Sequence, residues 1–402
     1  MARIDSFLRL MNDRGASDLH FTVGQPPILR LHGDIDPIRY KSLSQTDFEF
    51  FLGEVAPERI WKHFKDGGDA DFAYECKGLA RFRVNLFRQE RGAGAVFRII
   101  PTKLLTMEQL GLPEVTNRIC ELERGLCLVT GPTGSGKSTT LSAIVNRMNE
   151  TRKLHIITIE DPIEFVHPNK KSLITQREVG TNATSFAAGL KAALREDPDV
   201  VLVGEMRDLE TIQLALHAAE TGLLVFGTLH TNSAGKTVDR IINVFPTDEQ
   251  EGVRSVIGDT LVCVLAQQLL KRTEGGRVAA LEILFGSPAL GNIIREGKTH
   301  QITNIIRQGM RRGMMTMDDS LYKLVETKLV DAENAYEKAI DKKEFRKRVM
   351  QGLGIKVGAG DEDADEKDEA AAGTTPPPPP LAAAKPGTSP AVPKAPATPS
   401  RG

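Results

Sequence analysis

The stretch Gly131-Pro132-Thr133-Gly134-Ser135-Gly136-Lys137-Ser138-Thr139 decides the fold of this chain. It fits G-x-x-x-x-G-K-[ST], the phosphate-binding loop of nucleoside-triphosphate hydrolases. Glycines let the backbone curl so that several N–H groups point at one phosphate, in conformations that a Cβ would obstruct. In such loops the lysine, here Lys137, reaches the β- and γ-phosphates, and the following hydroxyl, here Ser138, binds Mg²⁺. The sequence therefore predicts a site for ATP and Mg²⁺ formed by residues 131–139.

The residues on either side of this loop have the pattern that a phosphate loop requires. Leu126–Val129 is a short apolar run, typical of a buried strand, and it ends just before the loop. After the loop, apolar residues recur at helical spacing at Leu141, Ile144, Val145 and Met148. The loop should therefore lie at a helix N-terminus, where anions are favoured. A glycine-rich turn that fits the motif by chance would lack this context.

Strands and helices alternate from about residue 114 to 270, which predicts an α/β fold with a parallel sheet covered on both faces. The run His155–Ile159 ends in three acids, Glu160, Asp161 and Glu164, at the edge where open α/β sheets bind their ligands. These acids are candidates for organising water or Mg²⁺. The alternative interpretation is that Asp161-Pro162 forms an ordinary turn.

Two further strands of the same region end in polar residues. The apolar run Val200–Val203 leads to Glu205, which would position Mg²⁺ or the attacking water. The run Leu224–Leu229 leads to His230, where a polar group would sense the γ-phosphate. A histidine at a strand end is also often just a hydrogen-bonded loop residue.

Residues 1–100 predict a separate α/β unit. From Arg81 onward, apolar and polar side chains alternate, as in a half-buried strand, and a second strand at 95–100 carries Arg98. Together with Arg83 and Arg88 these arginines predict a basic patch on paired strands. The patch is either a solvated sheet face or a set of phosphate contacts, and the pattern leaves both open. Residues 101–113 predict an irregular linker between two domains.

Composition excludes several functional classes. With a net charge of -1 over 402 residues, the chain has no electrostatic case for binding nucleic acid. No apolar run approaches the ~18–20 residues of a membrane span, and no signal-peptide segment is predicted. The four cysteines are scattered without C-x-x-C pairs, which disfavours a zinc site or a disulfide framework. We expect a soluble protein of the reducing cytoplasm.

The last residues differ in composition from the rest. An acidic run occupies 361–369, and a stretch rich in Pro, Ala, Thr and Lys follows from Pro376. Because so few apolar residues cannot form a packed core, we expect residues 356–402 to be a disordered tail. A docking segment for a partner is the alternative.

Four ordered motifs closely resemble those of type IV pilus retraction motors, the PilT-like branch of the secretion ATPases, and the resemblance covers roughly residues 1–345. Ser17-Asp18-Leu19-His20 is similar to that family's N-terminal signature, and Ile159–Glu164 resembles its aspartate box. Val203–Asp208 resembles its Walker B region, and Gly227–Asn232 its histidine box.

The resemblance implies a homo-hexameric ring that hydrolyses ATP with Mg²⁺ in the cytoplasm, peripheral to the inner membrane at the pilus base, where it acts on a platform protein. It also implies a PAS-like domain at 1–100 and a RecA-like ATPase domain with C-terminal helices at 114–355. Residue by residue, it implies that Arg83 and Arg98 act as fingers on the nucleotide. Glu164 would be the catalytic acid of the aspartate box, Glu205 the Walker B glutamate that also holds metal, and His230 the sensing histidine.

The chain departs from the family pattern at two positions. Leu223 stands where the family usually has a histidine, so one of two histidine contacts is missing and coupling would be altered. Gly291 stands where the retraction signature, here Ala289–Glu296, commonly has an arginine. Glycine removes a charge and is expected to loosen the start of a helix.

The sequence thus predicts a motor that powers pilus retraction by pilin disassembly, as in twitching motility. A specialised paralogue or an extension motor is the alternative, although extension motors resemble longer chains that usually carry a zinc-binding cysteine set. A nucleic-acid motor on the same core is disfavoured by the balanced charge, and a regulatory subunit that binds nucleotide without turnover is the remaining hypothesis.

Overall fold

The computed structural model describes residues 2–31, 34–100 and 104–358. Contacts join the chain into one compact unit that ends at Val357. The predicted disordered tail lies outside the described residues from position 359 onward.

The first part of the unit is a six-stranded sheet with three helices. Its strands are β1 (Asp18–Thr22), β2 (Ile28–Leu31), β3 (Asp34–Pro37), β4 (Ala70–Cys76), β5 (Ala80–Gln89) and β6 (Gly92–Ile100). Its helices are α1 (Asp5–Asp13), α2 (Gln45–Leu52) and α3 (Glu58–Lys65). The spatial order is β3-β2-β1-β6-β5-β4, and every neighbouring pair is antiparallel.

The long hairpin β5–β6 shows why the arginines share one face. Phe82, Val84 and Leu86 are fully buried, and because side chains alternate along a strand, Arg83 lies on the opposite face. Arg83 and Arg98 are directly opposite each other in the register of the two strands. The predicted half-buried pair of strands is confirmed.

The second part contains a seven-stranded sheet. Its strands are β7 (Gly125–Thr130), β8 (His155–Glu160), β9 (Leu173–Glu178), β10 (Val200–Val203), β11 (Leu224–Leu229), β12 (Leu261–Lys271) and β13 (Arg277–Phe285). The order is β13-β12-β7-β11-β10-β8-β9. All neighbouring pairs are parallel except the antiparallel pair β12–β13. The predicted mixed α/β fold is confirmed.

Helices cover this sheet and continue beyond it. They are α4 (Lys137–Thr151), α5 (Phe186–Ala193), α6 (Leu209–Glu220), α7 (Ala234–Ile242), α8 (Gln250–Thr260), α9 (Pro288–Arg295), α10 (Ile302–Gln308), α11 (Met317–Glu326), α12 (Ala332–Lys338) and α13 (Lys342–Leu353). Short polar residues start several of them by accepting a backbone N–H of the first turn. These capping residues are Ser185, Asp208, Ser233 and Ser287.

The patterns above do not predict the hairpin β12–β13. Its first strand is almost entirely buried, and an apolar run of that length cannot be distinguished from a buried helix by periodicity. The proposed domain boundary at 101–113 stays a prediction. The two sheets have separate hydrophobic cores, and the second core includes Met107 and Leu112 of this segment. Contacts between the two halves keep them in one unit.

In the described part of the chain, none of the helices is both long enough and apolar enough to cross a membrane.

Candidate nucleotide site

The phosphate loop connects the buried strand β7 to helix α4, as the motif predicts. Gly131, Gly134 and Gly136 all have positive φ, and Gly136 caps the helix in the left-handed region. Side chains rarely adopt this conformation, so the curled loop needs glycine there. The free N–H groups of the first turn of α4, a helix of 15 residues, therefore lie next to the loop and favour an anion.

Two side chains of the loop are suited to phosphate. The ammonium of Lys137 donates to the carbonyl oxygens of Gly131 and Pro132 at 2.9 and 3.2 Å. Burial lowers the pKa of Lys137, while the carboxylates of Glu205 and Glu164 oppose that shift. The buried hydroxyl of Ser135 has no hydrogen-bond partner among the described residues, which leaves it able to bond a phosphate oxygen.

The acidic loop after β8 separates its carboxylates into two groups. Glu160 turns inward and accepts hydrogen bonds from Thr158 at 2.7 Å and Gln176 at 3.1 Å. Burial raises the pKa of Glu160, and these hydrogen bonds oppose the rise. Glu160, Asp161 and Glu164 all line the cavity beside the phosphate loop. The hydrogen bonds from Thr158 and Gln176 distinguish Glu160 from the other two carboxylates.

Glu178, at the end of β9, ties the acidic loop to the N-terminal sheet. One of its carboxylate oxygens accepts the backbone N–H of Ile163 at 3.1 Å and pairs with Arg81 of β5 at 2.9 Å. Both ionic side chains are mostly buried, with exposed fractions of 21% and 9%. Ile163, the residue before Glu164, is thus linked through Glu178 to β5, the strand that also carries Arg83.

Glu205 and His230 meet at the ends of β10 and β11. The imidazole Nε2 of His230 lies 2.8 Å from a carboxylate oxygen of Glu205, which also pairs with Arg207. Burial alone would raise the pKa of Glu205, but the hydrogen bonds and charges of Arg207 and His230 outweigh it and lower the pKa. Glu205 is therefore held as an anion at neutral pH.

These segments converge on one cavity of about 350 Å³. Of the residues predicted for the site, those that line it are Arg83, Thr133, Gly134, Lys137, Ser138, Glu164, Glu205 and His230. The other residues of the loop, Gly131, Pro132, Ser135, Gly136 and Thr139, do not line it. Residues up to 147 positions apart in sequence, Arg83 and His230, thus line one polar cavity.

Arg98 lies elsewhere within the chain. Its guanidinium pairs at 2.7 Å with Asp18, whose side chain is only 6% exposed. Asp18 belongs to the N-terminal signature motif and also accepts from Ser17 at 2.8 Å. Arg83, by contrast, is separated from Asp71 by 3.5 Å, and both side chains are about half exposed. The structure thus distinguishes two arginines that the sequence treats alike.

The cavity provides oxygen ligands that suit Mg²⁺. The hydroxyl of Ser138 and the carboxylates of Asp161, Glu164 and Glu205 all line it. No cluster of three or more His, Cys, Asp or Glu residues fit to hold a metal occurs in the described ranges. Mg²⁺ commonly uses only one or two protein oxygens together with substrate phosphates and water. The oxygen donors that line the cavity fit that mode.

Glu178, which holds the acidic loop, and Gln267, which bonds to the phosphate loop, have no signal in the sequence patterns. Glu178 ends a largely polar edge strand, and Gln267 lies in the middle of the apolar strand β12. Neither belongs to a motif, and both reach the site only because distant strands become neighbours in the sheet.

The structure shows what surrounds Leu223 and Gly291, the two departures from the family pattern. Leu223 is half-buried and packs against the main core. Gly291 is the fourth residue of α9, so it lies within the helix rather than at its start. A Cβ there would lie 2.6 Å from the carbonyl oxygen of Gly258 in α8. Gly291 therefore does not loosen the start of α9 as expected. Instead, the missing side chain lets α8 and α9 approach closely.

Comparisons with known proteins show which family the chain resembles. A family model described as "Type II/IV secretion system protein" matches residues 68–355. The chain is 52% identical over 336 residues to the type IV pilus retraction ATPase PilT of Pseudomonas aeruginosa, covering 84% of this chain and 98% of that protein. It is 52% identical over 314 residues to a twitching motility protein of Neisseria gonorrhoeae, covering 78% and 84%. A crystal structure of the pilus retraction motor PilT with bound ADP matches with a TM-score of 0.80 and 44% identity, covering 86% of this chain and 98% of that one.

Proposed function

The chain belongs to the type II/IV secretion system protein family and is a P-loop ATPase, and we propose that it powers the retraction of type IV pili. The PilT relative from Pseudomonas aeruginosa supports this, because the identity extends over almost all of its length. Retraction would proceed by pilin disassembly at the pilus base, as in twitching motility.

One observation carries the proposal of ATP hydrolysis. The phosphate loop, the acidic loop, the end of β10, the end of β11 and the arginine strand β5 all contribute to one cavity. Phosphoryl transfer depends on positioning and on electrostatic stabilisation, and these segments provide the groups for both.

Each residue then has a role. Lys137 and the loop N–H groups bind the β- and γ-phosphates. Glu205, an anion held by Arg207 and His230, orients the attacking water, and its contact with His230 transmits the presence of the γ-phosphate to β11. Glu164 accepts the proton of that water. Bound Mg²⁺, held by Ser138 and Glu205, would neutralise charge on the phosphates.

The arginines complete the site in an assembly. We propose a homo-hexameric ring in which Arg83 stabilises charge on the γ-phosphate. Arg98 pairs with Asp18 within its own chain, so it would reach a nucleotide only from a neighbouring subunit. The ring would contain the antiparallel N-terminal sheet as a PAS-like domain and the second sheet as a RecA-like core. It would act in the cytoplasm on a membrane platform protein, with no role for nucleic acid.

The surroundings of Gly291 bear on the direction of the force that the motor produces. Gly291 fits tightly against Gly258, so an arginine at that position would require α8 and α9 to separate. This observation favours a specialised paralogue as the second candidate function, with ATP hydrolysis retained and the output of the motor altered.

Two measurements test the proposal. Phosphate release by the purified full chain should reach the usual enzyme range of ~1–10³ s⁻¹ with Mg²⁺ and stop when EDTA is added. Cells deprived of this chain should keep surface pili but lose twitching, and expression of the wild type should restore it. Absence of turnover with Mg²⁺ would indicate a regulatory subunit, and loss of surface pili would indicate an extension motor.

A further inference from the structure

Gln267 of strand β12 lies against two glycines of the phosphate loop, Gly131 and Gly136. A Cβ on Gly131 would lie 2.2 Å from the backbone oxygen of Gln267, and one on Gly136 would lie 2.8 Å from its side-chain nitrogen. Real Cβ atoms do not approach a backbone oxygen as closely as 2.2 Å, so the strand as well as the loop conformation requires glycine at Gly131. At Gly136 a Cβ would displace the side-chain amide of Gln267, and the positive φ favours glycine there. The loop is therefore packed directly against Gln267.

The side-chain amide of Gln267 joins the loop to helix α4. Its Nε2 donates to the backbone oxygen of Ser135 at 2.7 Å, and its Oε1 accepts from the hydroxyl of Thr140 at 2.8 Å. The side chain is almost fully buried, with 3% exposed. Because a backbone oxygen can only accept, the amide nitrogen must face Ser135, and the amide oxygen then faces Thr140.

These bonds fix the direction of the peptide that links Ser135 to Gly136. In a trans peptide the C=O and the N–H point in opposite directions. With the oxygen of Ser135 held toward β12, the N–H of Gly136 must point away from β12. Gln267 does not line the cavity, whereas Gly134, Lys137 and Ser138 do, so the loop lies between Gln267 and the cavity. The N–H of Gly136 thus points to the side on which a phosphate would bind.

We propose that Gln267 is a positioning residue for the phosphate loop. Its amide holds the peptide between Ser135 and Gly136 so that the N–H of Gly136 donates to the phosphate of the nucleotide. Gln267 itself touches no substrate. The inference rests on the proposed function, because it assigns a role within the same nucleotide site.

A pair of matched variants tests this role. Gln267→Met keeps a similar volume and removes both hydrogen bonds of the amide. The N–H of Gly136 is then no longer held toward the phosphate, so the Kd for ADP should rise about tenfold, the effect of one lost buried hydrogen bond. The KM for ATP should rise by a similar factor, with a smaller change in kcat, because the loop binds ground state and transition state alike. The control is Gln268→Met, on the opposite face of β12, where the side chain donates to the backbone oxygen of Lys338 at 3.3 Å. It removes a buried glutamine from the same strand and should leave the Kd and KM unchanged.

A second variant distinguishes positioning from packing. Gln267→Glu has the same shape, but only the protonated acid can donate to the backbone oxygen of Ser135. Burial raises the pKa of a carboxyl group, so the affinity of this variant for ADP should approach that of the wild type as the pH falls from about 8 to about 6. This series compares one folded variant with itself and does not depend on the stability of Gln267→Met.

The outcomes are separable. Equal ADP affinity in the wild type, Gln267→Met and Gln268→Met would overturn the positioning role and leave the proposed function intact. A deficit in Gln267→Glu that stays constant with pH would show that packing alone is lost, and would also overturn it. Failure of the wild type to bind ADP would overturn the proposed function and this inference with it.

Discussion

The phosphate loop and the arginine hairpin β5–β6 contribute to the site in contrasting ways. The loop is complete within a short stretch of sequence, and its shape depends on its own glycines and on one adjacent strand. The hairpin belongs to a different sheet and reaches the cavity through one arginine, Arg83, while the register partner Arg98 pairs with Asp18. With the roles proposed above, nucleotide binding depends on the geometry around the phosphate loop, whereas catalysis depends on where the N-terminal sheet places Arg83.

The ion pair between Arg81 and Glu178 links the hairpin to the acidic loop. Because Glu178 also holds the backbone of the acidic loop at Ile163, a shift of the N-terminal sheet would move both Arg83 and the segment that carries Glu164. The structure therefore couples the position of the N-terminal sheet to the positions of Arg83 and Glu164, and this coupling does not include the phosphate loop. Four substitutions break or sharpen this contrast.

The largest effect is expected for Lys137→Ala. The ammonium neutralises phosphate charge and, among the described residues, donates hydrogen bonds to loop carbonyl oxygens. Turnover should therefore fall below about a tenth of the wild type while Tm stays unchanged. Phosphate release and thermal unfolding measure the two quantities. Lys153→Ala, an exposed lysine that follows the same helix, is the control. Retention of more than about a tenth of wild-type turnover would mean that the phosphate loop is not the site.

The next effect concerns Arg83→Ala. The side chain is about half exposed and its contact with Asp71 is long, so its loss should leave Tm and ATP binding unchanged. Turnover should fall by at least tenfold, since arginines of this kind contribute roughly 10³–10⁵ in well-studied nucleotide hydrolases. Arg91→Ala, in the turn of the same hairpin and outside the cavity lining, should behave like the wild type.

A mixing experiment decides whether Arg83 serves its own subunit. Subunits of Lys137→Ala and Arg83→Ala are combined, co-assembly is verified, and phosphate release is measured. Partial recovery would show that Arg83 acts on a neighbour, because only then does an intact loop meet an intact arginine from the other chain. No recovery would place Arg83 in the cavity of its own chain, where the structure has it.

A smaller effect is expected for Glu178→Gln. The amide can still accept the N–H of Ile163 but leaves the largely buried Arg81 without its counter-charge, which should lower Tm by a few degrees and turnover several-fold. The double variant Arg81→Met with Glu178→Gln should recover part of both losses, since the unpaired charge is gone. Strictly additive losses would show that the ion pair does not couple the hairpin to the acidic loop.

The smallest effect on turnover is expected for Arg98→Ala, because within the chain Arg98 contacts Asp18 rather than the cavity. Unlike Arg83→Ala, it should lower Tm by a few degrees, since the buried carboxylate of Asp18 loses its partner. Thermal unfolding and phosphate release of the two variants, measured side by side, give the contrast. An unchanged Tm with a turnover as low as that of Arg83→Ala would assign Arg98 to a neighbouring subunit's nucleotide.

Much of the site could be predicted because its motifs are local. Strand, loop and helix around residues 131–139 follow one another directly, and Glu164, Glu205 and His230 each follow an apolar strand. Parallel strands bring their carboxyl ends to one edge, so these residues had to meet. The roles assigned to them stay proposals until the substitutions are measured.

The sequence by itself determined the α/β class, the position of the phosphate loop and the edge of the sheet on which the polar residues gather, because these depend on patterns within a few residues. The tertiary structure alone decided that Arg83 and Arg98 differ in environment, that Glu178 ties the acidic loop to Arg81, and that Gln267 packs under the loop. Each of these contacts joins residues about 80 to 130 positions apart. Strand order and the packing of one sheet against another set such contacts, and no local pattern in the chain encodes them.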